Sequence, residues 1–255
     1  MAGSLEKGRV YIVGAGPGDP ELITVKGLNL LRSADVIVYD RLAPKELLSH
    51  ARKGAELIYA GKAPGAHSMS QEEINRLLLE KAKMGLTVVR LKGGDPLVFG
   101  RGEEECMFLV SHGIECHIVP GIPSFLGAAA YARIPLTSRG YSSSFAVVTG
   151  REAEDKGFKS VRLKDVARAV DTIIILMGAS RSAEILGELA EVLGDNARGA
   201  IVMNATREDQ LVLEGSLSEL LELARKGAVK NPAVIIIGSP VSLRGKLWLG
   251  NAGSS

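Results

Sequence analysis

Short apolar runs rich in β-branched residues alternate along this chain with segments whose apolar positions recur at helical spacing. In the first half the runs occupy residues 9–14, 35–40, 57–60, 86–91 and 116–119. Valine, isoleucine and tyrosine dominate them, with little polar alternation, as in strands covered on both faces and so in a parallel sheet. Helical patterns fall between them at 20–32, 44–51, 70–83, 101–112 and 123–131, and Ser70 with Glu73 forms a capping box opening the third. Residues 133–144 break the rhythm with Pro135, Gly140 and the serines 142 to 144, and read as a linker. The alternation then resumes, with strands expected at 145–149, 172–177, 199–204, 210–214 and 233–237 and helices at 180–193 and 216–226. The run at 210–214 follows its predecessor after only a short loop, so this second sheet is expected to turn mixed or antiparallel at one edge. The pattern predicts an α/β protein of two tandem α/β domains, 1–136 and 137–255.

Composition narrows the functional classes. Apolar residues make up 46% of 255, enough for real cores, whereas aromatics at 4% are too few for base-stacking platforms. A formal net charge of +2 singles out neither nucleic acid nor a membrane as partner. No apolar stretch approaches membrane-helix length and the first seven residues are polar and short, so a cytoplasmic protein is expected. Cys106 and Cys116 fit neither a redox pair nor a zinc ribbon and read as reduced, partly buried thiols. His112 and His117 flank Cys116, but no fourth ligand accompanies them, so no metal site is expected.

Open α/β sheets bind ligands beyond the carboxyl ends of their strands. After the first strand stands Gly14-Ala15-Gly16-Pro17-Gly18-Asp19-Pro20. Asp19 occupies the place of the third glycine in a dinucleotide fingerprint and would repel a pyrophosphate, and Pro17 removes an N–H that would help hold one. A neutral or cationic ligand fits better. After the fourth strand comes Gly93-Gly94-Asp95-Pro96, another glycine turn, in which a carboxylate suits a cationic or hydroxyl-bearing ligand. Asp40 and Lys62 end the second and third runs, candidates for acid–base work. In the second half, Met177-Gly178 and Asn204-Ala205-Thr206 end strands in the same way.

The opening run from Gly14 to Thr24 resembles the first motif of the tetrapyrrole methylases. Further segments resemble the members that methylate uroporphyrinogen III: Tyr39-Asp40-Arg41-Leu42, Gly61-Lys62 with His67-Ser68, Gln71-Glu72-Glu73-Ile74-Asn75, and Arg90-Leu91-Lys92-Gly93-Gly94-Asp95-Pro96. Phe99-Gly100-Arg101-Gly102-Glu103-Glu104, Pro120-Gly121-Ile122 and Ile134-Pro135-Leu136-Thr137 continue an ordered series over nearly the whole chain. The resemblance implies the two-domain tetrapyrrole methylase fold with the active site in the cleft between the domains, a homodimer, and S-adenosylmethionine as methyl donor without a metal. It implies cofactor contacts from Pro17, Gly93, Gly94, Asp95, Val98, Pro123, Ser124, Met177, Ala205, Pro232, Ala233 and Val234. It implies methylation on rings A and B to give precorrin-2 by way of precorrin-1, with a later corrin precursor as the alternative substrate. Asp40 is implied as proton acceptor and Lys62 as proton donor, although an ionised Asp40 serves equally as acceptor for pyrrole N–H groups. Arg41, Arg101 and Arg139 are the cations expected to meet the substrate's carboxylates. Two departures, Ser138 where the family often carries histidine and the segment 63–66 in place of a more basic one, touch the substrate contacts rather than the cofactor site. The absence of a dehydrogenase and chelatase module implies a chain that makes precorrin-2 and stops.

Overall fold

The ten expected strands form two separate five-stranded sheets in a computed structural model that describes residues 8–61, 69–151 and 161–247. Contacts divide the chain into two compact units, Met1–Ser124 and Phe125–Ser255.

The first unit comprises β1 (Arg9–Gly14), α1 (Val25–Ser33), β2 (Val36–Tyr39), β3 (Glu56–Tyr59), α2 (Gln71–Lys83), β4 (Thr87–Lys92), α3 (Gly102–Ser111) and β5 (Glu115–Val119), and reaches the first residue of α4 (Ser124–Tyr131). Its strands are all parallel in the order β3-β2-β4-β1-β5. The chain leaves β1 towards β2 on one side and leaves β4 towards β5 on the other, so the topological switch point lies between β1 and β4. Alternate residues serve opposite faces. Val10, Ile12, Val36, Val38 and Val88 join α2 and α3 through Ile74, Leu78 and Leu109. Val13, Ile37, Val89 and Leu91 join α1 and the following turn through Leu31 and Leu47. Burial of both faces accounts for the nearly continuous apolar runs.

The second unit holds the rest of α4, then β6 (Phe145–Thr149), α5 (Leu163–Ala169), β7 (Thr172–Leu176), α6 (Ser182–Leu193), β8 (Arg198–Met203), β9 (Leu211–Ser216), α7 (Leu217–Arg225) and β10 (Ala233–Gly238). The order is β6-β7-β10-β8-β9, with β6 and β7 parallel and the other pairs antiparallel. This is the mixed sheet expected, and its core gathers Ile173, Ile175, Ile201, Ile235 and Ile237 against Leu186, Leu189 and Leu220. Truncating one such leucine to alanine typically costs about 2–5 kcal/mol.

Local chemistry explains the departures from the pattern. The helix expected at 20–32 is broken: Asp19 caps a 3-10 turn at Pro20–Leu22, and the Thr24 hydroxyl accepts the Gly27 N–H to start α1 afresh. The segment expected to be helical at 44–51 is a 3-10 helix, Lys45–His50. Both α2 and α7 open with complete capping boxes, at Ser70/Glu73 and Ser216/Glu219. Cys106 and Cys116 are not free thiols. The tight return from α3 into β5 brings their Cα atoms to 5.5 Å, within disulfide range, and the two are bonded. His112 Nδ1 instead meets the Phe108 carbonyl at 2.8 Å, while His117 pairs with Glu115 and stacks on Tyr11. No helix among the described residues is long and apolar enough to cross a membrane.

Candidate functional site

Three loops meet at the carboxyl edge of the parallel sheet, and glycine is what lets them meet. Gly16 and Gly94 form an isolated bridge, Gly94 N–H donating to the Gly16 carbonyl at 2.7 Å and Gly16 N–H to the Gly94 carbonyl at 3.2 Å. A Cβ on Gly121 would stand 2.4 Å from the Gly94 carbonyl oxygen, and one on Gly14 would stand 2.5 Å from the Gly121 nitrogen. The loops after β1, β4 and β5 are therefore packed backbone to backbone. Asp95 ties the junction, its Oδ1 accepting from Leu97 N–H at 2.8 Å and its Oδ2 from Gly121 N–H at 3.1 Å. Gly94, at φ +69°, is the exception to the crowding: a Cβ there would meet nothing closer than Ser124 N at 3.6 Å and Pro123 Cα at 3.8 Å. Pro17, Gly93, Gly94, Asp95, Val98, Pro123 and Ser124 thus belong to one loop cluster.

Asp40 stands at the end of β2, two strands from β1. Its Oδ1 accepts from Leu42 and Ala43 N–H at 3.0 and 3.3 Å, while its Oδ2 lies 3.3 Å from Arg90 Nη2. All its partners are donors, the surroundings a carboxylate needs. Gly93 closes the same corner, where a side chain would strike Leu42 Cβ at 2.5 Å. Arg41 is exposed on the next position. Arg101 adopts a left-handed φ of +60° at the start of α3 and grips Glu104 with Nε and Nη2 at 2.9 and 2.7 Å. That bond raises the arginine pKa and lowers that of Glu104, and it leaves Nη1 for a second carboxylate. Lys62 and the segment 63–68 lie outside the described residues.

In the second unit β10 runs antiparallel to its neighbours, so its beginning lies beside the ends of β7 and β8: Val234 pairs with Leu176, and Ala233 with Met203. Met177, Ala205 and Pro232 to Val234 consequently share one edge of that sheet, joined by Asn204 N–H donating to the Pro232 carbonyl at 3.0 Å. Arg139 is exposed on the turn closed by the bridge between Ser138 and Ser142. That turn belongs to the expected linker, and Ser142 anchors it by bonding the Thr172 hydroxyl at 3.0 Å.

Backbone strain marks the same places. Non-glycine residues with positive φ among the described residues are Phe99, Arg101, Arg133, Met177, Asn204 and Thr206. All except Arg133 follow the carboxyl ends of β4, β7 or β8, and such strain clusters at functional sites. Met177 is also exposed, as are several other large apolar side chains.

One group of residues escaped the sequence reading. Arg90 and Lys92 on β4 are buried and converge on Glu105 of α3, which is fully buried. Glu105 Oε1 lies 3.3 Å from Arg90 Nε and 2.9 Å from Lys92 Nζ, and Gln71 Nε2 donates to it at 3.1 Å. Burial lowers the Lys92 pKa first, Arg90 adds to the effect, and Glu105 opposes both. The available signal was two cations set two residues apart in an otherwise apolar run, because such charges require a buried partner.

A parallel sheet with glycine-lined loops at its switch point, followed along the chain by a second, mixed sheet, defines a class. The chain belongs to the tetrapyrrole (corrin/porphyrin) methylases, whose family model matches residues 9–221. It is 50% identical over 238 residues to the uroporphyrinogen-III C-methyltransferase of Methanocaldococcus jannaschii, covering 92% of this chain and 98% of that one. A crystal structure of the uroporphyrin-III C-methyltransferase of Thermus thermophilus, complexed with S-adenyl homocysteine, superimposes with a TM-score of 0.77 at 41% identity, over 92% of this chain and 100% of that one. A cobalt precorrin-4 methyltransferase matches with a TM-score of 0.81 but at 30% identity, over 91% of this chain and 95% of its own.

Proposed function

We propose that this chain methylates uroporphyrinogen III on rings A and B, giving precorrin-2 through precorrin-1, with S-adenosylmethionine as donor. The observation that carries the reading is the glycine junction of Gly14, Gly94 and Gly121 held by Asp95, with Asp40 at a neighbouring strand end. The looser packing at Gly94, where a Cβ would make only ordinary contacts with Ser124 and Pro123, and the presence of carboxylate and carbonyl acceptors fit a ligand that carries positive charge, hydroxyls and no phosphate. The higher identity to uroporphyrinogen-III C-methyltransferases than to the precorrin-4 enzyme supports the first of these substrates.

When bound, S-adenosylmethionine supplies an electrophilic methyl group on a sulfonium. Within the first unit, Pro17, Gly93, Gly94, Asp95, Val98, Pro123 and Ser124 are the residues that would hold it; the second unit, taken by itself, offers Met177, Ala205, Pro232, Ala233 and Val234 as candidate donor contacts. Arg41, Arg101 and Arg139 bind the substrate's carboxylates. The pyrrole is electron-rich already, so alignment and exclusion of water are the protein's main tasks. Carbon methylation leaves the macrocycle with an extra positive charge, and one proton must then depart. Asp40 Oδ2, which keeps a lone pair beyond its Arg90 contact, accepts the pyrrole N–H and then that proton. Any proton that Lys62 donates is matched by a second one lost elsewhere on the macrocycle, so that each methyl transfer releases one proton overall. The domains are assigned as 1–136 and 137–255, the protein as a cytoplasmic homodimer working without a metal; light scattering tests the dimer.

Purified protein mixed with S-adenosylmethionine and freshly prepared uroporphyrinogen III is expected to yield product one and then two methyl groups heavier. Binding of the donor without any mass gain would refute the substrate assignment, and the later corrin precursors would be tried next. Asp40→Asn is expected to bind the donor normally and lose most turnover. Wild-type turnover in that variant would end the role given to Asp40.

A further inference from the structure

Four charged side chains form a chain of alternating sign beneath the ligand loops. Asp40 Oδ2 meets Arg90 Nη2 at 3.3 Å, Arg90 Nε meets Glu105 Oε1 at 3.3 Å, and Glu105 Oε1 meets Lys92 Nζ at 2.9 Å. Arg90 and Lys92 are only 3% and 5% exposed and Glu105 is 0% exposed, so solvent does little to screen them. Two anions and two cations leave the set neutral. Arg90 is fixed further by the carbonyls of Val38 and Leu91, 3.5 and 3.2 Å from its Nη1. Its guanidinium thus spans from the helix-covered face of the sheet to the end of β2.

The distribution around Glu105 is lopsided. Its Oε1 faces three donors, from Arg90, Lys92 and Gln71, whereas its buried Oε2 has no hydrogen-bond partner among the described residues. A buried network built only for stability would satisfy both oxygens, and buried ion pairs are in any case poor stabilisers compared with apolar packing. What the arrangement does achieve is to hold Arg90 from behind and to offset part of its charge.

We propose that Glu105 is a positioning residue for Asp40: by anchoring Arg90 and partly neutralising it, Glu105 sets both the orientation of Asp40 Oδ2 and its affinity for the departing proton. This rests on the reading of Asp40 as proton acceptor. The groups coupled to the set are Lys92 and Arg90 from β4, Asp40 from the end of β2, and Arg101 and Glu104 at the start of α3. Gln71 from α2 contributes an uncharged donor. Removing the negative charge at 105 leaves the whole of the Arg90 charge bearing on Asp40, which weakens Asp40 as a base. Removing the positive charge at 92 does the opposite.

The test is the pH–rate profile of methyl transfer under single-turnover conditions. Glu105→Gln keeps the shape of the side chain and removes its charge. It is expected to lower the rate about tenfold and move the acid limb of the profile to lower pH by about one unit, with donor affinity within about twofold of wild type. Lys92→Met is expected to move the same limb to higher pH. Damage to packing alone lowers rates and melting temperatures but does not move the limb in opposite directions in the two variants. Unmoved limbs, or shifts of one sign in both, would overturn the proposal. The double variant Glu105→Gln/Lys92→Met, neutral again as a set, is expected to bring the limb back towards wild type, and it covers the case in which a single variant folds poorly. Failure of the underlying reading is distinguishable, because Asp40→Asn would then turn over normally.

Discussion

Replacing Gly121 by alanine probes the junction at its tightest point. The new methyl would lie 2.4 Å from the Gly94 carbonyl oxygen and 2.8 Å from both Cα and carbonyl carbon of Gly14. Reaching even a tight 3.0 Å contact needs about 0.6 Å of movement, and the atoms in the way are backbone rather than flexible side chains. Overpacking of this kind costs about 1–3 kcal/mol. For a chain of this size, each kcal/mol shifts the melting temperature by roughly 2–4 °C. The movement is absorbed where the junction is held by few bonds, namely the Gly94 N–H to Gly16 bond and the Gly121 N–H to Asp95 bond. Donor affinity therefore falls with stability, by about tenfold for each 1.4 kcal/mol that the loops lose in the bound geometry. Calorimetric titration with S-adenosylmethionine beside thermal unfolding measures both quantities. A lowered melting temperature with unchanged affinity would mean that these loops do not seat the donor. An unchanged melting temperature would refute the steric reasoning itself.

Other expectations can be checked with less effort. Gly187 lies inside α6 with open space where a side chain would stand, so Gly187→Ala is expected to stabilise by roughly 0.5–1 kcal/mol, read as a higher denaturation midpoint. Ser216→Ala removes the cap of α7 and is expected to lower stability. The backbone and hydroxyl of Ser216 depress the Glu219 pKa, so that contribution is present above the ordinary glutamate range and fades as pH falls through the depressed value. Urea midpoints of wild type and variant are thus expected to draw closer in acid without meeting, because the Ser216 hydroxyl still accepts the Glu219 N–H there. The Cys106–Cys116 bond closes a loop of sequence separation 10, and reduction is expected to destabilise by about 2–3 kcal/mol. Alkylation of the unreduced, unfolded protein that labels both cysteines would show the bond to be absent.

The strands were legible because burial on both faces writes itself as an unbroken apolar run, and the loops after them were legible because close backbone approach demands glycine. Other features depend on neighbours distant in sequence. Arg90 stands within the apolar run at 86–91, but its partner Glu105 comes from α3, and only the packing of that helix against β4 reveals the pairing. Met177, Asn204 and Thr206 adopt positive φ although no residue of their type requires it, so the strain is imposed by the fold. The break between Leu22 and Val25 was signalled by Thr24, a capping residue inside an apparently continuous helical pattern. The cysteines misled because their separation says nothing about a helix and a strand folding back on one another.

The antiparallel course of β10 has a practical consequence for anyone wishing to modify the protein. Within the second unit, the edge that carries Met177, Ala205 and Pro232 is built from the ends of β7 and β8 and the start of β10, so β10 finishes at the far side of its own sheet. Within the first unit, β1 likewise begins at the margin opposite the glycine loops. An affinity handle, a fluorophore or a fused enzyme attached ahead of β1 is therefore tethered remote from that unit's binding loops. A probe inserted between α7 and β10, by contrast, emerges beside Pro232, and a signal change on adding S-adenosylmethionine would test whether that edge meets the donor.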